Sequence, residues 1–140
     1  MRSLSVLLLA GAATAQAPRS KPVATTLELM QALIVPASDA LFEAAEKEPR
    51  TDAGWAALRT HALVLTEAGN LLMMDGHARD KGRWMRDARA QVDAGIAALN
   101  AIAAKDLDKL IGDVGEQIVN SCENCHAHYL KRSALRSGQK

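Results

Sequence analysis

The sequence predicts an all-α protein, an up-down-up-down antiparallel four-helix bundle, and three observations carry that expectation. Ala, Leu, Glu, Lys and Arg dominate, aromatic residues make up only 3%, and no run of β-branched residues alternates with period two. Four segments repeat apolar residues at three-four spacing, the period of a half-buried helix. The links between them are short, so consecutive helices should be antiparallel neighbours. At 140 residues the chain is long enough for one domain with a real core.

The first helix is expected over about residues 26–47. Thr25 or Thr26 is its cap, and Leu29, Leu33, Ala37, Ala40 and Ala44 share one face. Pro36 lies inside it and should kink or divide it, because proline removes one backbone bond. The second helix starts at Thr51 or Asp52 and carries Trp55, Leu58, Ala62, Leu65, Gly69 and Leu72 inward, with Gly76 as the stop. The third covers about 83–105, with Trp84, Ala88, Val92, Gly95, Leu99 and Ile102 inward. The fourth is capped by Asp106 and runs to about residue 132. Its apolar face is Leu107, Leu110, Ile111, Val114 and Ile118, leading into Cys122. The tail "SALRSGQK" should fray. No internal repeat, low-complexity segment, phosphate-binding glycine loop or HExxH pattern is present.

Residues 1–17, "MRSLSVLLLAGAATAQA", read as a cleaved secretory signal. Arg2 supplies the basic start, residues 4–13 the apolar stretch and Ala15-Gln16-Ala17 the small-x-small site. The apolar stretch is too short for a membrane anchor. The mature chain, residues 18–140, should begin at Pro18 and reside in the periplasm, with no integral membrane segment after processing. It then holds sixteen basic and sixteen acidic residues. A balanced chain argues against nucleic-acid binding, which needs a net basic footprint.

Both cysteines of the chain stand in "NSCENCHAHY", at Cys122 and Cys125, with His126 next. Cys-x-x-Cys-His is the attachment signal for a c-type haem. Two thiols add to the two porphyrin vinyl groups, and the adjoining histidine is placed to be the proximal iron ligand. Attachment needs export, which the signal segment supplies independently. Three other uses of the cysteines compete poorly. A thioredoxin-like dithiol would sit between a strand and a helix, whereas this pair lies deep in a helix. A zinc site wants four ligands, and there is no second cysteine pair, although His61, His77 and His128 exist. A disulfide across so short a loop would constrain little of the unfolded chain.

A four-helix bundle with this motif in its last helix resembles the class II cytochromes c, the cytochrome c′ family of monohaem proteins. "LELMQALIVPASDALF", "AGNLLMM" and "CENCHAHY" are similar to stretches of proteobacterial members, and the likeness covers nearly all of the mature chain. The resemblance implies one haem c per chain near the C-terminus, held by Cys122 and Cys125, with His126 as proximal ligand. It also places Met30 where the family's first helix faces the other side of the iron, making Met30 the candidate sixth ligand. The family often has Tyr or Phe followed by Arg after the motif; here Tyr129 matches, and Leu130 then Lys131 follow.

The expected topology brings the start of the first helix to the haem end of the bundle, along with the end of the second and the start of the third. Met30, Met73, Met74, Met85 and His77 would then gather there, mostly as packing. Met73 is the second candidate for the iron. His77 is expected in solvent, His128 on the surface and His61 at the edge of the apolar stripe. Tyr129 should pack on the haem edge, and Trp55 and Trp84 should be core. The same end gathers eleven basic residues, among them Arg79, Lys81, Arg83, Arg86 and Arg89, against six acidic ones that include Asp80, Asp87 and Glu123. Propionate neutralisation and solvation account for such a face as well as the steering of an acidic redox partner does.

These observations lead to a periplasmic monohaem c-type cytochrome that transfers one electron through its haem iron and is not an enzyme. The alternative is a gas-binding protein of the cytochrome c′ kind, with an open or labile sixth site for nitric oxide or carbon monoxide. Alanine-rich faces of the first two helices would suit a homodimer.

Overall fold

The computed structural model describes the backbone of residues 21–137 and the side chains of residues 21–130. The signal segment, the processing site before Pro18 and the side chains of Lys131, Arg132, Arg136 and Lys140 lie outside the described residues. The fold is all-helical, with four helical rods packed together and no strand among the described residues. We name the rods α1 to α4. Rod α1 joins Thr26–Leu29, a π-helical turn Met30–Ile34, Val35–Phe42 and a closing 3₁₀ turn Glu43–Ala45. Rods α2 and α3 are the uninterrupted helices Asp52–Leu72 and Arg83–Ala103. Rod α4 joins Leu107–Lys109, a second π turn Leu110–Val114 and Gly115–Ser137. Among the described residues no helix is long and apolar enough to cross a membrane.

Capping residues set the starts. Thr25 accepts from the Glu28 amide at 3.2 Å, while Glu28 takes the Thr25 amide at 2.8 Å, a reciprocal box that satisfies two orphan donors. Thr51 and Asp106 cap α2 and α4 through the amides of Gly54 and Lys109. The cap of α3 comes from outside the helix: Asp80 Oδ1 accepts the Gly82 and Trp84 amides at 2.8 and 3.1 Å. At the other end of α3, the Lys105 amide bonds the Ile102 carbonyl and the Asp106 amide bonds the Ala101 carbonyl. That is a Schellman closure, and it holds Lys105 at φ 52°, in the left-handed region usually left to glycine.

Pro36 does not divide α1, whose helical backbone continues from Thr26 to Ala45. The turn before it widens instead, and the Val35 amide reaches back five residues to the Met30 carbonyl. A wider turn relieves the crowding a proline ring imposes on the preceding turn. Part of the inward face is shifted by one residue, to Ile34 and Leu41, while Leu29, Ala37 and Ala44 are buried as expected. The buried stripe steps from Leu29 across five positions to Ile34, then Ala37, Leu41 and Ala44. Leu33 and Ala40, expected inward, are only half-buried. In α4, Ile111 is exposed while Leu110 and Val114 are buried.

Rods α2 and α3 approach each other closely at two glycines. A Cβ on Gly69 would lie 2.8 Å from Val92 Cγ2, and one on Gly95 would lie 2.2 Å from Thr66 Oγ1. Farther along the same seam, Gln91 Nε2 donates to the Leu65 carbonyl at 3.0 Å and Trp84 Nε1 to the Leu72 carbonyl at 2.6 Å. Rod α2 stops at Leu72, ahead of Gly76. Gly76 serves the following turn, at φ 104°, where a side chain would strike Pro22 at 2.8 Å. Rod α4 continues to Ser137, past the expected end near residue 132. Ser133, Ala134, Leu135 and Arg136 all tolerate helix, and Gly138 is the next residue able to stop it.

Candidate functional site

Cys122, Cys125 and His126 fall at i, i+3 and i+4 of one uninterrupted helix, Gly115–Ser137, and so share one face. That face borders a cavity of about 270 Å³. Met30 borders the same cavity from α1, together with Ile34 and Val35 at the end of the π turn. The structure therefore brings together all four residues singled out in the sequence, from segments more than ninety positions apart. Leu72, Trp84 and Ala88 add apolar wall from α2 and α3, and Phe42 and Val119, both partly exposed, add apolar rim. His126 and Glu123 are exposed and give the cavity its solvent side.

The thiols are half-buried and unbridged. Burial pushes Cys125 up to about 11, and the charges of Asp87 and Cys122 add to the rise. Burial raises Cys122 as well, with Ser121 opposing by a hydrogen bond. Both are therefore protonated thiols at neutral pH. Among the described residues no three His, Cys, Asp or Glu side chains form a group that could hold a metal ion. The donor set instead comprises two thiols, one imidazole and one thioether around a largely apolar space.

Several expected positions come out differently. His77 is not in solvent: it is buried to 3% exposure, with Nδ1 3.3 Å from Thr26 Oγ1, and it ties the turn after α2 to the start of α1. Its burial follows from the Gly76 turn, which folds the loop back onto Pro22. Met73 packs against the core but does not border the cavity. Tyr129 does not border it either. Its ring stands edge-on to Trp84, centroids 4.9 Å apart, and its hydroxyl donates to Asp80 Oδ2. Burial and the Asp80 hydrogen bond push the Tyr129 phenol up to about 12, while that same bond, with help from the α3 amides, holds Asp80 below its ordinary range. His128 is half-buried beside Tyr129, ring centroids 4.8 Å apart, rather than on the open surface. Trp84 is buried, as expected, and also forms part of the cavity wall.

Sequence reasoning missed Asp87, which it counted as a surface charge. Asp87 borders the cavity, and its Oδ2 is buried without a hydrogen-bond partner. The spacing held the signal: Asp87 lies three residues after Trp84 and one before Ala88, on the edge of the apolar stripe. Comparisons with protein-family models, with curated proteins and with solved structures found no match to this chain.

Proposed function

We propose that this chain is an exported monohaem c-type cytochrome of the four-helix-bundle kind, which carries one electron at a time in the periplasm. The observation that carries the reading is the convergence of Cys122, Cys125, His126 and Met30 on one largely apolar cavity. The residue pairings support an up-down-up-down course. Residues 66, 69 and 72 of α2 meet 95, 92 and 84 of α3, and Trp84 of α3 meets Tyr129 of α4.

A bound haem supplies the one-electron couple of its iron. Cys122 and Cys125 would hold the porphyrin by adding S–H across its two vinyl groups, sulfur to one carbon and hydrogen to the other. His126 would bind the iron from the helix that carries both thioethers. Met30, fixed by the π turn and bordering the same space, would take the sixth position. His126 and Met30 together would raise the potential of a bound haem, and the apolar wall of Leu72, Trp84 and Ala88 would exclude water there. At about 270 Å³ the cavity is smaller than the roughly 300–1,000 Å³ usual for an organic cofactor, so a porphyrin held there would extend past it at the solvent side that His126 and Glu123 define. The exposed cations Lys81, Arg83, Arg86 and Arg89 sit at the same end of α3 as Trp84. They suit the steering of an acidic redox partner.

Absorption spectra of the ferric and ferrous protein, with and without carbon monoxide, test the reading. Met30 ligation predicts low-spin iron in both states and slow or weak carbon monoxide binding. A five-coordinate iron that takes carbon monoxide freely would replace electron carriage with the gas-binding alternative.

A further inference from the structure

His77 is buried, yet the proposed site makes no use of it. Burying an imidazole is costly unless its nitrogens find partners, and here Nδ1 lies within hydrogen-bond distance of Thr26 Oγ1, at 3.3 Å. The turn that carries His77 is closely built. The His77 and Ala78 amides both bond the Met74 carbonyl, and the Gly76 backbone runs so near Pro22 that no side chain fits between them. The turn after α2 thus meets the entry to α1 at two points, Pro22 and Thr26. Thr26 leads on to Met30. It is the first residue of α1, one helical turn before Met30, and its carbonyl accepts the Met30 amide. The Met30 carbonyl in turn accepts the Val35 amide across the π turn. Leu29 buries its side chain in the same opening turn, but apolar burial is non-directional, whereas a hydrogen bond fixes where the backbone stands.

We propose that His77 is a positioning residue for Met30: through its hydrogen bond with Thr26 it pins the opening turn of α1 and so keeps the Met30 sulfur in the sixth position of a bound haem. This rests on the haem reading above and adds to it a residue from outside the cavity wall. Helix starts open locally more readily than helix interiors, because their first amides lack intrahelical partners. Opening of the first turn of α1 would carry Met30 away from the iron and free the sixth position. The bond between His77 and Thr26 opposes that opening. The turn between α2 and α3 therefore sets how often the sixth position is free, and with it how readily a small gas enters.

The test uses the haem-bearing protein as wild type, Thr26→Val and Thr26→Ser. Valine keeps the shape of threonine without its hydroxyl, serine keeps the hydroxyl, and the three have similar helix propensity. Two quantities are read on the ferrous protein. One is the rate of carbon monoxide binding, which follows how often Met30 leaves the iron. The other is amide exchange by NMR at Leu29 and Met30, set against Val92 in the seam between α2 and α3. Thr26→Val should bind carbon monoxide faster by on the order of fivefold, the loss expected of one neutral hydrogen bond. Its Leu29 and Met30 amides should exchange faster by a similar factor, with Val92 unchanged, and Thr26→Ser should stay near wild type. An unchanged carbon monoxide rate in Thr26→Val would overturn the proposal. So would a serine variant that behaves like the valine one, or a Val92 amide that loosens to the same degree, which would mark general destabilisation. A wild type with covalent haem but five-coordinate iron would overturn the Met30 assignment and this proposal with it, whereas a wild type with no thioether-bound haem would overturn the haem reading itself, so the failures are told apart.

Discussion

Gly95→Ala tests the packing that builds the cavity wall. The new methyl would lie 2.2 Å from Thr66 Oγ1, 3.0 Å from its Cβ and 3.1 Å from its Cα. Rotation of Thr66 cannot relieve this. Its hydroxyl is held by the Ala62 carbonyl at 2.7 Å, and turning χ1 moves neither the β-carbon nor the backbone that the methyl would strike. Rods α2 and α3 must therefore separate locally. Overpacking of this kind costs about 1–3 kcal/mol, and the alanine returns about 1 kcal/mol of helix propensity. The net destabilisation should be about 0–2 kcal/mol, or on the order of 4 °C in Tm per kcal/mol for a domain of this size. Thermal unfolding followed by far-ultraviolet circular dichroism measures it. Gly112→Ala is the internal control: it is exposed, and a Cβ there meets nothing within 4 Å, so it should stabilise by about 0.5–1 kcal/mol. A Gly95→Ala protein stabilised as much as Gly112→Ala would refute the close approach of the two helices.

Further expectations concern single interactions. Lys105→Gly should stabilise the protein by about 0.5–1 kcal/mol in the same melt. It relieves a left-handed backbone costing about 1–2 kcal/mol and gives up an exposed, solvent-screened ion pair with Asp52; a loss of stability would contradict it. The Tyr129 phenol has its folded-state pKa raised, so its contribution to stability is complete below the unfolded value of about 10 and is lost as pH rises toward about 12. The stability gap between wild type and Tyr129→Phe should therefore close over that alkaline range. Asp80 has its folded-state pKa lowered, so its contribution is present above the unfolded value of about 3.9 and is lost as pH falls through the lower folded value. Asp80→Asn should flatten the acid limb of the same profile. Met30→Ala should turn the iron high-spin, lower the potential and admit carbon monoxide, whereas Met73→Ala should leave all three unchanged, because Met73 does not border the cavity.

The helices were legible because each repeats apolar residues at helical spacing between recognisable stops, and the seam through Leu58, Ala62, Leu65, Gly69 and Leu72 is buried nearly as written. Rod α1 was legible in extent and only partly in register, with Leu29, Ala37 and Ala44 inward as expected. Pro36 announced a disturbance, yet whether the chain kinks or widens depends on what packs against it, and the π turn moved the buried face to Ile34 and Leu41. Cys122, Cys125 and His126 stand out in the sequence because the haem attachment proposed for them demands close spacing. Met30 was singled out by resemblance, and it borders the same cavity as those three. His77, Tyr129 and Asp87 could not be placed from local pattern, since their surroundings come from other helices. Thr26 lies beside His77, Asp80 and Trp84 hold Tyr129, and the cavity faces Asp87.

The most direct test of the account is haem retention after denaturation. Protein exported by a host able to attach haem c is unfolded, extracted with acid and acetone, and weighed intact. The account predicts a chain beginning at Pro18 with one haem that resists extraction, and at most one thioether link in Cys122→Ser or Cys125→Ser. Haem that extracts freely from wild type, or a chain that leaves the exporting host with none, would contradict it.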